Sequence, residues 1–553
     1  MAELAGALPA VFGALAGEVA ASGTGVTVVD GTGGGKGEGV ADAARVAGGR
    51  RQPWAQVIDR AADAADNLTR VEGIGPGWVV RVPSAVSIDL VTGIVATWLA
   101  GAAVQVERPG GHAGDDAPPG TRPVAVVPPG GPGATGGLVG AAWRAPWAVG
   151  AVPSAGDVAI VQYTSGTTGE PGRLLVPAGA LVDHVRAAAR HLGIDGPDEV
   201  AVSWLPLFHD MGLVGMLCLA LFLGHELVLA SPASFMRRPL SWLSLCAEGS
   251  GTFTAAPDFA YRVVARHLAG RAAPDLTRMR AFVDGGEPIS PHTVRDMAGL
   301  ATAGSLRPGA LVPAYGLAEA PLAVTLCRPG EDAAVVDGRG LARDGLVAVG
   351  TPLAGIDVTL EPRPDLPDAP ALGAVGVGVG VGVGEVVVSG TAVCGPPASP
   401  DGAPVPLGPV RTGDLAFWDD GRLVVCGRSK ELIIVGGRNL VPAEVERIAQ
   451  GVPGARPGRV VAFGRRSGLG TEEVVVVAEP ASSPPGATGP PDAARPADVA
   501  RAVQRRVHAE LDVRPRVAVV APGSVPKTSS GKLQRRLCGE LLAGGGLDVL
   551  ATA

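Results

Sequence analysis

The sequence predicts an α/β protein in which a large amino-terminal part precedes a small α+β carboxyl-terminal unit. The first observation is length, because 553 residues exceed what one hydrophobic core usually holds. The second is the alternation of strand-like and helical runs beyond Asp157, which is typical of a largely parallel sheet covered by helices. The third is a shorter mixture of strands and helices near the carboxyl terminus, which indicates a separate small unit.

Hydrophobic periodicity supports each element in chain order. Early in the chain, "WAQVIDRAADAADNL" predicts an amphipathic helix, and "GWVVRVP" and "AAVQVER" predict strands. The strand-like runs "DVAIVQY", "EVAVSWLP" and "HELVLAS" then alternate with the helical runs "GALVDHVRAAARHLG" and "MGLVGMLCLALFLG". The carboxyl-terminal unit takes its strands from "GRVVAFGR", "EEVVVVAE" and "RPRVAVVAP", and its helices from "VPAEVERIAQ" and "ADVARAVQRRVHAEL".

Composition excludes several classes of protein. A formal net charge of −7 argues against nucleic acid as the main partner. The six cysteines are scattered without a C-x-x-C pair, so we predict neither a disulfide framework nor a cysteine metal site, and we expect a reduced, cytoplasmic setting. The most apolar run, Leu213–Leu223, is too short to cross a bilayer and is interpreted as a buried helix. The amino terminus has no basic leader, so no secretory signal is predicted.

The segment "YTSGTTGEPGR" (163–173) follows a predicted strand and combines glycines with hydroxyl side chains. Amides and hydroxyls of such a loop can surround phosphate oxygens, and glycine lets the backbone approach them closely. A plain turn has a similar composition, and the segment lacks the G-x-x-x-x-G-K-[ST] pattern of the P-loop. We interpret it as a phosphate-binding loop built from Thr164, Ser165, Gly166, Thr167, Thr168 and Gly169.

Five motifs in register carry a resemblance to a known family. They are "YTSGTTGEP" (163–171), "YGLAE" (315–319), "RTGDLAFWDDG" (411–421), "GRSKELIIVGGRNLVPAEVE" (427–446) and "VPKTSSGKLQRR" (525–536). Together they resemble the adenylate-forming superfamily of acyl-CoA synthetases, luciferases and peptide-synthetase adenylation domains. The resemblance implies an AMP-binding and acyl-binding domain over residues 1–429 and a mobile domain over residues 430–553, with Lys430 at the hinge.

The middle of the chain resembles one subfamily, the fatty acyl-AMP ligases. The similar segments are "WLPLFHDMGLVG" (204–215), "LASPASFMRRPLSWL" (229–243), "APDFAYRVV" (256–264) and "DGGEPIS" (284–290). These enzymes convert a fatty acid and ATP into acyl-AMP and pyrophosphate, and then pass the acyl group to the phosphopantetheine thiol of an acyl carrier protein. The segment "VVDGRGLARDG" (335–345) is short for the insertion of that subfamily. An acyl-CoA ligase that uses CoA as the acceptor therefore stays open.

The resemblance implies ATP and Mg²⁺ as cofactors and assigns residues to them. Tyr315 stacks on adenine beside Gly316, and the turn formed by Gly286, Glu287 and Pro288 lies on the nucleotide side. Glu319 closes "YGLAE". A carboxylate beside phosphates is repelled unless a divalent cation lies between them, so Glu319 is interpreted as a Mg²⁺ ligand.

Further nucleotide residues come from the carboxyl-terminal motifs. The resemblance places Asp414 on the ribose hydroxyls, on a turn after a predicted strand, and gives Arg428 a second ribose or phosphate contact. Lys532 is the expected catalytic residue. Attack of a carboxylate on the α-phosphorus brings two anions together, and an ammonium that bridges them stabilises the transition state. Lys527, in the same segment, is expected to be a bystander.

The motif "FHDMG" is assigned by resemblance to the acyl pocket. His209 and Asp210 have no hydroxyl or thiol nucleophile suggested beside them, so a hydrolase is not favoured. A histidine at this point argues against an α-amino acid substrate, whose ammonium needs a carboxylate. Phe208, Met211 and Phe259 are expected to line an apolar slot for a fatty acyl chain, although ordinary core packing would place them similarly.

One departure from the superfamily pattern keeps another class of function open. A lysine usually follows the proline of the phosphate-loop motif, whereas this chain has Gly172 there, followed by Arg173. Arg173 supplies a charge with different geometry. A non-catalytic remnant that still binds nucleotide or an acyl chain is therefore an alternative, against which Glu319, Asp414 and Lys532 argue.

Overall fold

The protein divides into two compact units in a computed structural model. The first unit comprises residues 1–334, 349–358 and 388–410, and the second comprises residues 335–348, 359–387 and 411–553. The structure describes residues 8–29, 49–108, 122–127, 138–144, 158–164, 172–196, 198–338, 342, 344–363, 382–394, 408–435, 438–466, 472–481, 495–527 and 533–553. The predicted boundary at residues 429 and 430, and the hinge role of Lys430, stay predictions.

Within these ranges, helices occur throughout the chain. They are α1 (Leu8–Ala20), α2 (Trp54–Arg70), α3 (Ile88–Leu99), α4 (Ala178–Leu192), α5 (Asp210–Gly212), α6 (Leu219–Leu223), α7 (Pro232–Arg237), α8 (Leu240–Glu248), α9 (Asp258–Leu268), α10 (Pro291–Thr302), α11 (Pro442–Gln450), α12 (Pro496–Leu511) and α13 (Arg535–Ala543). A π-helical segment (Leu213–Cys218) joins α5 to α6, and a 3₁₀ turn covers Ser429–Glu431.

The strands of the first unit supply two sheets. They are β1 (Gly25–Val29), β2 (Gly49–Pro53), β3 (Trp78–Val82), β4 (Ala103–Val106), β5 (Arg122–Val127), β6 (Leu138–Arg144), β7 (Val158–Thr164), β8 (Gly172–Pro177), β9 (Val200–Ser203), β10 (Glu226–Ala230), β11 (Phe253–Ala256), β12 (Ala281–Asp284), β13 (Leu311–Gly316) and β14 (Ala323–Leu326).

Shorter and longer strands follow in the rest of the chain. They are β15 (Val335–Val336), β16 (Leu346–Val347), β17 (Thr351–Pro352), β18 (Ile356–Pro362), β19 (Gly384–Gly390), β20 (Val410–Asp419), β21 (Arg422–Arg428), β22 (Ile433–Val435), β23 (Arg438–Leu440), β24 (Ala455–Arg466), β25 (Glu472–Pro480), β26 (Arg516–Val520) and β27 (Val549–Thr552).

The largest sheet has nine strands in the order β17-β14-β13-β12-β11-β9-β10-β1-β2. Its neighbouring strands from β13 to β1 are all paired in parallel. Antiparallel strands lie outside them, β14 and β17 beyond β13 and β2 beyond β1. The predicted α/β class and the largely parallel sheet are therefore confirmed. Because parallel neighbours end at the same edge, whatever follows β9, β11, β12 and β13 is brought together.

The second sheet of the first unit has the order β5-β6-β3-β4-β7-β8. It contains the predicted strands "GWVVRVP", "AAVQVER" and "DVAIVQY", which are β3, β4 and β7. The run Leu213–Leu223 is helical and largely buried, as the sequence predicts. Its Phe222 packs near Phe12 of α1, whose ring stacks on Trp98 of α3 with a centroid separation of 4.5 Å.

The second unit has its core on the sheet β24-β25-β26-β27. The run "EEVVVVAE" forms β25, and valines that alternate along it pack with apolar side chains of α11 and α12 in one buried cluster. This arrangement confirms the α+β character predicted for the carboxyl-terminal segments. Across the part of the chain that the structure covers, no helix has the length and apolarity that a membrane span requires.

A buried histidine lies under the end of the large sheet. His184 of α4 is 1% exposed, and its Nε2 accepts the backbone N–H of Ala323 at 3.2 Å. Burial lowers the pKa of His184 to about 4. The imidazole is therefore neutral at physiological pH, with its proton on Nδ1.

We expect His184→Gln to reduce the acid sensitivity of folding. Between the ordinary histidine pKa of 6.5 and the folded value of about 4, the unfolded chain binds a proton that the folded chain does not, so stability falls as the pH falls. Full titration of this residue lowers the free energy of unfolding by about 3 kcal/mol. The glutamine amide oxygen accepts the same hydrogen bond without titrating. Urea unfolding at neutral pH and at about pH 4.5 measures the difference, and equal pH slopes for the two proteins would contradict it.

Candidate functional site

Four neighbouring strands of the large sheet present the predicted site residues at one edge. Phe208, His209 and Asp210 follow β9, Phe259 follows β11, and Gly286, Glu287 and Pro288 follow β12, while Tyr315 and Gly316 end β13. The sheet order β13-β12-β11-β9 makes these strands direct neighbours. Ligands of open α/β sheets bind outside the carboxyl ends of strands, so this edge is the candidate site of the first unit.

The turn after β12 lies against residues predicted for the acyl pocket. Gly286 has φ +80°, and a Cβ there would lie 3.1 Å from Cε of Met211. Glu287 Oε1 accepts the backbone N–H of Phe259 at 2.6 Å. The structure therefore brings the predicted nucleotide turn together with two residues of the predicted acyl slot.

The same turn lies against the strand that carries Tyr315. A Cβ at Gly285 would lie 3.1 Å from the carbonyl oxygen of Ala314, the residue before Tyr315. A Cβ at Gly316 would lie 1.9 Å from the carbonyl oxygen of Leu322, so the backbone itself fills that space. Tyr315 is half-buried. Glycine at these two points lets the predicted adenine side of the site form by close backbone contact.

The motif "FHDMG" forms a tight entry into the helix that follows β9. His209 N–H donates to the Pro206 carbonyl at 3.2 Å, and Asp210 Oδ1 accepts the Met211 N–H at 2.8 Å. A Cβ at Gly212 would lie 2.3 Å from the Pro206 carbonyl oxygen, which explains the glycine. The Phe208 and His209 rings lie 4.6 Å apart. Phe208, His209, Asp210 and Met211 are all half-buried at this edge.

The second unit contains the predicted ribose residues, and here one expectation is wrong. Asp414 was expected on a turn after a strand, but it lies inside β20 and pairs in register with Arg428 at the end of β21. Gly413 has φ +74°, a left-handed conformation common in turns, but pairing with β21 continues the strand through it. Arg428 Nε donates to Asp414 Oδ1 at 3.0 Å. The two predicted nucleotide residues thus form an ion pair with each other.

Other predicted residues lie at or beyond the limits of the described chain. Thr164 ends β7 and faces Gly172 of β8 in register, whereas Ser165, Gly166, Thr167, Thr168 and Gly169 lie outside the described residues. Lys532 also lies outside them. Lys430 is exposed in the 3₁₀ turn. The functional roles of all these residues stay predictions.

Comparison with known proteins decides the family. The family description "AMP-binding enzyme" matches residues 121–395. Rv1013 of Mycobacterium tuberculosis (strain ATCC 25618 / H37Rv) is 35% identical over 399 residues, which cover 68% of this chain and 71% of that protein. The long-chain-fatty-acid--AMP ligase FadD26 of Mycobacterium marinum is 32% identical over 436 residues, 72% of each chain. This chain belongs to the adenylate-forming superfamily of AMP-binding enzymes.

Solved structures agree with this adenylate-forming fold. One structure from a study of fatty acyl-adenylate ligases from E. coli and L. pneumophila gives a TM-score of 0.75 at 22% identity, with 98% of this chain and 98% of that chain covered. McyG A-PCP complexed with phenylalanyl-adenylate gives 0.74 at 18% identity, with 97% of this chain and 83% of that chain covered. The chain is an adenylate-forming ligase, and the alternative of a non-catalytic remnant is set aside.

Glu319 of the adenylate-forming enzyme fits the way in which Mg²⁺ is usually held beside ATP. The residue is half-buried in the turn after β13, and its carbonyl oxygen accepts the Cys394 N–H at 2.5 Å, which fixes the backbone. Among the described residues, no group of three or more His, Cys, Asp or Glu side chains forms a metal cluster. Mg²⁺ at ATP sites commonly takes one or two carboxylates, with phosphates and water completing the shell. A single carboxylate is therefore a sufficient protein ligand.

The sequence reasoning missed an acidic cluster directly beneath the turn of Gly286. Asp284 ends β12 and is fully buried, and neither of its oxygens has a hydrogen-bond partner among the described residues. Asp258 begins α9 and accepts the Ser290 N–H at 3.0 Å and the Thr293 hydroxyl at 2.5 Å. Burial, with the charges of Asp258 and Glu287, raises the pKa of Asp284 well above its ordinary value. Only tertiary packing distinguishes this neutral acid from a surface turn aspartate.

We expect Asp284→Asn to stabilise the protein increasingly as the pH rises. The folded state keeps a proton on Asp284 that the unfolded state releases above the ordinary carboxyl pKa, so the wild-type protein loses stability with rising pH. Asparagine has a similar shape and no such dependence. Urea unfolding at about pH 5 and about pH 8 measures the effect. As a control, Asp275→Asn changes an exposed carboxylate in the middle of the loop that precedes β12. A variant at 284 that matches this control at both pH values would contradict a raised pKa of Asp284.

Proposed function

We propose that the chain activates a fatty acid as acyl-AMP and transfers the acyl group to the phosphopantetheine thiol of an acyl carrier protein. The observation that carries this proposal is the contact between the turn of Gly286 and Glu287 and the acyl-side residues Met211 and Phe259. It supports a nucleotide and an acyl chain held side by side at one sheet edge. Such proximity supplies much of the rate acceleration in group transfer.

The first reaction joins a carboxylate oxygen to the α-phosphorus of ATP. The bond from that phosphorus to the bridging oxygen breaks, and pyrophosphate leaves with its electron pair. Thr164 and the residues up to Gly169 are proposed to hold the departing phosphates through amides and hydroxyls. Lys532 is proposed to hold the carboxylate and the α-phosphoryl oxygens together while charge develops on them. Mg²⁺, which Glu319 would hold, supplies neutralisation of phosphate charge.

The acid is proposed to be a fatty acid because the acyl side of the site is apolar and aromatic. Phe259 lies 6.3 Å, centroid to centroid, from both Trp204 and Phe235, so its ring adjoins a buried aromatic cluster behind the turn. The resemblance assigns His209 to the point at which an amino-acid substrate would need a carboxylate partner. The names of the relatives FadD26 and FadD28, long-chain-fatty-acid--AMP ligases, support the same substrate class.

The second reaction distinguishes the proposal from its nearest alternative. In both cases a thiolate attacks the acyl carbon, the mixed anhydride opens, and AMP leaves. Phosphopantetheine on an acyl carrier protein and free CoA present the same thiol, so the chemistry of the first unit fits either. The relatives are named as ligases of a fatty acid to AMP, without CoA in the name, and we take this to favour the carrier protein as the acceptor.

The deciding experiment is acid-dependent exchange of labelled pyrophosphate into ATP, across fatty acids from octanoate to octadecanoate and an amino-acid panel. The proposal requires exchange with fatty acids and none with amino acids. Mass spectrometry of thioester products with holo-acyl carrier protein and with free CoA then identifies the acceptor. Absence of exchange with every fatty acid would contradict the proposal, and thioester formation on CoA alone would favour the acyl-CoA ligase.

We expect Lys532→Ala to abolish exchange while ATP affinity stays nearly unchanged. A transition-state contact removed from one cation lowers the rate about 100-fold or more, whereas ground-state ATP binding relies on other groups. Pyrophosphate exchange and isothermal titration with ATP measure the two effects separately. Lys527→Ala is the matched control from the same segment and is expected to retain exchange. Normal turnover in the Lys532 variant would exclude this role.

A further inference from the structure

Arg535 is the centre of a buried ion-pair cluster in the second unit. Its Nε and Nη2 donate to both oxygens of Glu446, each at 2.8 Å, and its Nη1 donates to Glu431 at 2.7 Å. The Arg535 side chain is 18% exposed and that of Glu446 is 5% exposed. Glu446 Oε1 also accepts the Ala462 N–H at 3.0 Å, so α11 and β24 hold the acid from two sides.

The position of Arg535 along the chain suggests that this cluster has a role in function as well as in stability. Arg535 begins α13, close after the segment 528–532, and Glu431 lies in the 3₁₀ turn beside Lys430. The cluster therefore links, within one unit, the turn predicted to be the hinge with the carboxyl-terminal flank of the segment that carries Lys532.

The amino-terminal flank of the same segment is anchored separately. Glu479 of β25 is fully buried, and its Oε1 accepts the Val525 N–H at 3.0 Å. Arg456 donates to the other oxygen of Glu479 at 3.0 Å. Lys527 and Leu533 form an antiparallel bridge across the ends of the segment, and Gln534 N–H donates to the Pro526 carbonyl at 3.1 Å. Both flanks are thus fixed to the unit's core by buried carboxylates.

Stability alone does not account for this arrangement. A buried ion pair often stabilises a protein no more than apolar packing of the same volume does. In α13 itself, Cys538 is the buried residue, so the ion pairs of Arg535 are a main attachment of this helix. The bidentate fork instead fixes direction, because a planar guanidinium that meets two carboxylate oxygens tolerates little rotation. Arg536, the next residue, pairs with Glu540 on the surface with both side chains more than half exposed.

We propose that Arg535 is a positioning residue for adenylation, which holds the carboxyl-terminal flank of residues 528–532 in register through Glu446 and Glu431. This inference rests on the proposed function, since it assumes that Lys532 acts in the first reaction. Misplacement by a fraction of an ångström then lowers the rate of adenylation without removing any group that binds ATP.

The test separates the two half-reactions in Arg535→Lys, Glu446→Gln and Glu431→Gln. The matched controls are Arg536→Lys and Glu444→Gln, since Glu444 of α11 pairs with Arg447 and not with Arg535. Lysine keeps the charge of Arg535 but cannot form the fork. For Arg535→Lys, kcat of pyrophosphate exchange is expected to fall about 10- to 100-fold, with the KM for ATP changed less than about twofold.

Consumption of synthetic dodecanoyl-AMP with pantetheine as the thiol is expected to proceed at the wild-type rate, because pyrophosphate has already left. The double variant Arg535→Lys, Glu446→Gln is expected to be as active as the less active of the two single variants. The reason is that both changes break the same contact, the fork between Arg535 and Glu446.

The thermal unfolding midpoint of each variant shows whether a loss of activity comes from a loss of folded protein. Glu431→Gln removes only the partly exposed carboxylate of the cluster, so it tests the inference even if Arg535→Lys folds poorly. Wild-type exchange in both Arg535→Lys and Glu431→Gln would overturn the inference, and so would a parallel loss of both half-reactions that tracks the unfolding midpoint. Absence of exchange in the wild-type enzyme would instead contradict the proposed function.

Discussion

The candidate site of the first unit depends on one constraint, the parallel pairing of β13, β12, β11 and β9. Parallel neighbours end at one edge, so segments far apart in sequence become adjacent without any long connection crossing the site. The glycines after β12 then let two backbone segments and Met211 meet at van der Waals distance. The residues predicted for the nucleotide and those predicted for the acyl chain come together because of strand direction.

Buried carboxylates are accommodated in two ways, by a raised pKa at Asp284 and by ion pairs elsewhere, as at Glu226 and Asp258 of the first unit. In the first unit, burial and the neighbouring acids raise the pKa of Asp284 well above its ordinary value, which favours the uncharged acid beside the predicted nucleotide turn. A reaction between a carboxylate and a triphosphate already brings like charges together, and a neutral acid avoids adding to that repulsion. In the second unit, Glu446 and Glu479 are instead matched by arginines and backbone N–H groups. There the charges hold segments in register.

Several features follow from the sequence because their cause is local or periodic. The alternation of strands and helices, the valine-rich strand β25 and the buried run of Leu213–Leu223 all carry their own periodic or apolar signal. The motifs around Tyr315 and Lys532 also indicate the superfamily from the sequence alone, since their residue types resemble one known family. The position of Asp414 could not be read in this way. Thr412 and Gly413 signal a turn locally, and only pairing with β21 extends the strand through them.

The sequence by itself determined the fold class, the family and the residue types that the reaction needs. Tertiary structure alone decided which of them touch: the approach of Gly286 to Met211, the neutral state of Asp284, and the fork between Arg535 and Glu446. Gly286 and Met211 are 75 positions apart in the sequence, and Arg535 and Glu446 are 89 apart. No local sequence pattern encodes contacts over such separations. The physical reason is that burial and long-range register set charge states and contacts, and both are properties of the packed chain.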